Sequence, residues 1–132
     1  MSKTDHAKAV AMRDAIEIVE EAYEFMLAYA AQGRKSEAKE EGVSKIRDYL
    51  TRFAGALDRM GEIAPDVVPG AAGVAFRDRF VVDLAVVRSV IALLLERPSI
   101  SSDMVDNTNG LIAMRMFLSD LFFIDQAVLP PR

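Results

Sequence analysis

Residues 79–97 read RFVVDLAVVRSVIALLLER, the most apolar run in the chain. Placed on a helix from Val74 to Arg97, its side chains advance about 100° per residue. Phe76, Phe80, Leu84, Val87, Ile91 and Leu94 then share one face, at the spacing of a core-facing stripe. Val82, Val86, Val90 and Leu93 make a second stripe beside it, with Asp83 between the two. Such a helix needs two things to pack on. One is the core of its own bundle, and the other is a further helix or another subunit. A transmembrane span is not expected, because the run holds Asp83 and Arg88 and its uncharged part falls short of the ~20 residues a bilayer core requires.

Working outward, the other segments read as helices placed around this one. Met12, Ile16, Val19, Tyr23, Met26 and Ala30 alternate steps of four and three, opposite Arg13, Asp14, Glu17, Glu20, Glu21 and Glu24. Ser2 and Asp5 form a weak capping box at the start, and Gly33 suits the left-handed residue past the end. Val43, Ile46, Leu50, Phe53, Leu57, Met60 and Ala64 make the cleanest amphipathic stripe. The polar stretch 34–43 reads either as the first turns of that helix or as a loop ending at Ser44. Pro65 is expected to stop the helix, and PDVVPGAAG (65–73) to form the widest connection. The last helix is apolar around most of its circumference, with a narrow polar stripe of Arg115, Ser119 and Gln126, and with Asn107–Gly110 weakening its first third.

The spacing therefore predicts helices at about 5–31, 44–63, 74–96 and 103–128, and no sheet. Leu57, Ile91 and Leu118 are placed in the core. The expected fold is all-α, a four-helix up-down-up-down bundle. It forms a single domain over 1–132, with 1–4 and 129–132 frayed.

Composition bounds the function. The chain is 52% hydrophobic and 27% charged, with a net charge of −4. An acidic chain with no basic face argues against nucleic-acid binding. Having no cysteine excludes disulfides, thiol chemistry and thiolate-held metals. No apolar leader is seen at the start, so we expect a soluble cytoplasmic protein of bacterial type.

No catalytic constellation is visible, and the protein is expected not to be an enzyme. The acidic row Glu17, Glu20, Glu21 and Glu24 invites a di-metal site, but such a bundle needs Glu-x-x-His motifs. The single histidine, His6, sits in the first turn, which suits neither a triad nor a phosphoacceptor. The GAAG at 70–73 lacks the spacing and the lysine of a phosphate loop. No metal and no cofactor are expected.

Asp83 and Arg115 stand out as charges among apolar neighbours, which is expensive unless they are paired. They can pair with each other, line a small polar pocket or sit at a subunit boundary; an internal or interface ion pair is the favoured reading, and a ligand anchor the alternative. The surplus apolar surface predicts an interface of Val82, Val86, Val90, Leu93, Met116, Phe117, Phe123 and Ile124. The functional expectation is a non-enzymatic interaction protein that self-associates, as a homodimer, through its third and fourth helices. A different protein partner would cover the same surface. The alternative is a module that holds a small apolar or acidic ligand between helices.

Overall fold

In a computed structural model, residues 3–131 are described. The Ser2–Asp5 capping box rests on Ser2 and lies outside them. The helices are α1 (Lys3–Ala30), α2 (Lys45–Val67), α3 (Val74–Leu95), α4 (Ser102–Asn109) and α5 (Ile112–Phe123). A 3-10 turn, Ala71–Gly73, leads into α3, and a π-helical turn, Ile124–Val128, continues α5. The fold is all-helical. Among the described residues the only β pairing is one isolated bridge between Glu40 and Val43.

α1 packs against α2 and α4, α2 against α3, and α3 against α5. The stripes read from the sequence meet in one core. Met12, Val19, Met26, Leu50, Phe53, Leu57, Met60, Phe80 and Ile91 are each 0% exposed. Tyr23 and Phe76 line its margin, half-buried. Leu118 does too, so of the three residues placed in the core only Leu57 and Ile91 lie fully inside it. Val43, read as the start of the α2 stripe, is exposed ahead of the helix.

Pro65 does not stop α2. The helix runs to Val67 with Pro65 inside its last turn. The hydrogen bond that proline cannot donate would have reached Gly61, and both residues lie on the exposed side, where water replaces the donor. The connection to α3 is correspondingly short, and the widest one is 31–44 instead. That segment is a loop. Ser44 caps α2 through its hydroxyl, which accepts from the Arg47 N–H. Glu41 and Gly42 turn the chain with φ of 53° and 79°. Gly33 takes φ 66°, as expected of a residue just past α1.

The loop is pinned by one buried carboxylate. The Glu37 side chain is 3% exposed. It accepts from the Arg47 guanidinium, the Ser44 hydroxyl and the Ile100 N–H. Burial works against its ionisation, but these three donors outweigh it and hold its pKa below the usual carboxylate range. Arg47 also donates to the carbonyls of Leu95 and Arg97, satisfying the C-terminal end of α3.

The fourth segment is broken. Leu111 is extended (φ −63°, ψ 135°), and α5 restarts after it. The break is fastened to α1, because Asn109 donates its amide to the Met26 carbonyl. Ser102 stitches the other end of α4, donating to the Tyr29 carbonyl and accepting from the Arg34 N–H. At the C-terminus Leu129 is buried. Arg13 of α1 binds Asp125 at 3.0 Å and also donates to the Pro130 carbonyl. The chain is thus held down to Pro130 rather than frayed from 129.

Candidate functional site

α3 and α5 run antiparallel. Phe76, at the start of α3, meets Phe123, at the end of α5, with ring centroids 5.0 Å apart edge-on. One turn further in, Phe80 stacks on Phe117 at 6.0 Å. This seam decides which residues of an almost wholly apolar helix face inward. Phe117 and Ile124 are both 0% exposed, so these two members of the expected interface are instead core. Phe117 fills the seam against Phe80, and neither side chain is available to a partner.

The other members remain outside. Val82 is 57% exposed and Leu93 61%, Val86, Met116 and Phe123 are also exposed, and Val90 is half-buried. Between Arg79 and Glu96, the exposed residues of α3 are Val81, Val82, Ala85, Val86, Ser89 and Leu93, and none carries a charge. At helical spacing, Ile112, Met116 and Phe123 line up along the outer side of α5. Ile112, which the sequence reading left out of the interface, is 73% exposed, the most of any large apolar residue described. Further along, Val90, Leu93, Leu94, Met104 and Leu111 line a shallow hollow between α3 and the α4–α5 break. The exposed apolar residues thus fall mainly on α3 and on the C-terminal segment.

A polar group is set into the seam. Asp83 is buried, as its position between the two stripes implies, but its cation is Arg79, one turn back on the same helix at 2.9 Å. It is not Arg115. Arg115 stands exposed at an open hollow lined by Tyr23, Leu27, Asp106 and Asn109. The partner that the sequence did not assign to Asp83 is Asp120 of α5. The Oδ2 atoms of Asp83 and Asp120 are both buried and without a hydrogen-bond partner. A proton shared between the two carboxyls would satisfy both. Burial, the hydrogen bond to Asp83 and its negative charge push the Asp120 carboxyl up to about 7, against the pull of Arg79. The outer guanidinium nitrogen of Arg79 reaches the Met116 sulfur at 3.4 Å, so the pair's cation lies on the apolar face itself.

The sign of the pH effect follows. A carboxyl whose folded pKa exceeds its unfolded value loses folded-state stability as pH rises from the unfolded value to the folded one, here from 3.8 to about 7. Asp120→Asn keeps a donor for Asp83 and removes the second charge. It is expected to raise the urea midpoint at pH 8 and to flatten its dependence between pH 5 and 8. A variant less stable than wild type at pH 8 would show that the two carboxyls do not share a proton.

Among the described residues no group of three or more His, Cys, Asp or Glu side chains is placed to hold a metal ion. Among the described residues no helix is long and apolar enough to cross a membrane. No protein-family model, curated protein or solved structure matches this chain.

Proposed function

We propose that this chain is a non-enzymatic interaction protein that pairs with a second copy of itself through α3 and the α4–α5 segment. The observation that carries the reading is the uncharged outer face of α3 between Arg79 and Glu96. It is supported by where the exposed apolar residues fall. Of the thirteen large ones described, ten lie on α3 or within Leu111–Phe123. Soluble monomers seldom leave such a patch uncovered beyond a few hundred Å². A two-fold copy covers it with its own equivalent, which makes the homodimer the simplest closed assembly.

In this reading the chain is a single domain arranged as a four-helix up-down-up-down bundle, with α4 and α5 together taking fourth place. The antiparallel seam of α3 and α5, and the packing of α1 on both α2 and α4, support that layout. A cytoplasmic location suits it.

A second reading is a small-ligand module anchored by Arg115. It rests on the hollow that the guanidinium shares with Tyr23 and Leu27. A native mass spectrum separates the two. The account expects twice the chain mass with nothing bound. A chain carrying a small molecule that Arg115→Ala loses would favour the second.

A further inference from the structure

We propose that pairing of the apolar face is linked to proton uptake at the Asp83–Asp120 pair, so that two copies hold together more tightly at pH 6 than at pH 8. The inference rests on the self-association reading and adds its regulation.

The carboxyl pair is not remote from the face. Arg79, 57% exposed along its side chain, donates to Asp83 from the face and touches Met116 with its other end. Val82 and Val86 flank it on α3. Asp120 is half-buried on the edge of α5. Through Arg79 the pair therefore borders this surface and the water over it. A second copy laid over it replaces that water with valine, leucine, isoleucine and methionine side chains, since the outer face of α3 carries no charge between Arg79 and Glu96. Removing water disfavours the doubly ionised pair far more than the pair that shares one proton.

The charged groups acting on Asp120 are Asp83 and Arg79, both from α3. Two charged groups on neighbouring elements are engaged elsewhere. Arg13 of α1 holds Asp125 and Pro130, and Asp58 of α2 is bound by Arg88 at 2.9 Å. The carboxyl already titrates near neutrality in the single chain, at about 7. Any further rise on pairing therefore falls between pH 6 and 8.

The experiment is the dimer dissociation constant by sedimentation equilibrium at pH 6 and pH 8, for wild type, Asp120→Asn and His6→Gln. Each half-unit rise in a pKa changes affinity about threefold, and a dimer holds two pairs. The wild-type constant is expected to weaken about tenfold from pH 6 to pH 8. Asp120→Asn should bind equally at both values, near the wild-type strength at pH 6. His6→Gln, which removes the one imidazole, should keep the wild-type difference. A wild-type dimer equally tight at both pH values overturns the proton linkage and leaves self-association standing. So does an Asp120→Asn variant that retains the difference, or a His6→Gln variant that loses it. A monomer at both values overturns the linkage and the self-association reading together.

Discussion

Phe117→Ala is expected to lower folding stability by about 3–5 kcal/mol, the usual cost of emptying a buried aromatic site. The ring is 0% exposed and stacks on Phe80, which in turn stacks on Phe76 at 6.3 Å. Its removal opens a cavity at the centre of the α3–α5 seam, where the backbone of two long helices limits collapse. Urea unfolding followed by circular dichroism measures the loss directly. A change under about 1 kcal/mol would mean that Phe117 faces outward, as a member of the expected interface would, and that the seam is misplaced.

The second large effect is on association rather than on folding. Val86 and Leu93 lie on the outer face of α3, 43% and 61% exposed. Val86→Glu with Leu93→Glu places two charges per chain in the proposed interface, four across a dimer, where the one cation of that stretch of α3, Arg88, is already paired with Asp58 of α2. A buried unpaired charge costs several kcal/mol, so the dimer should dissociate completely at micromolar concentration. Because both side chains are outside the core, the helical circular dichroism signal and the urea midpoint of the monomer should survive. Unfolded protein would show instead that the stripe packs within the chain.

Much of this architecture is legible in the sequence because each of the first three helices carries a continuous core-facing stripe. The alternating steps of four and three from Ile46 to Ala64 and from Phe80 to Leu94 translate directly into buried residues. The C-terminal segment is different. A helix apolar on nearly every side carries no directional signal, so Phe117 and Ile124 could not be told from Met116 and Phe123 by spacing. Only the ring pairing with Phe76 and Phe80 sorts them. Pro65 misleads because a proline in the last turn of a helix forfeits a bond that water supplies on an exposed side. The Glu37–Arg47 clamp joins a loop to a helix ten residues on and has no periodicity to reveal it.

The carboxyl pair was half visible. Asp83 announces itself as a charge inside an apolar run, and Arg79 lies one turn away on the same helix. Asp120 interrupts the apolar surface of α5 in the same manner. What joins them is the antiparallel register of α3 and α5, a tertiary fact that no local pattern encodes.

The most direct measurement is sedimentation velocity of the wild-type chain across nanomolar to micromolar concentration at pH 6, beside the Val86→Glu, Leu93→Glu variant. The account predicts a concentration-dependent shift from monomer to dimer for wild type and a folded monomer throughout for the variant. A wild-type chain that sediments as a monomer at every concentration would contradict it.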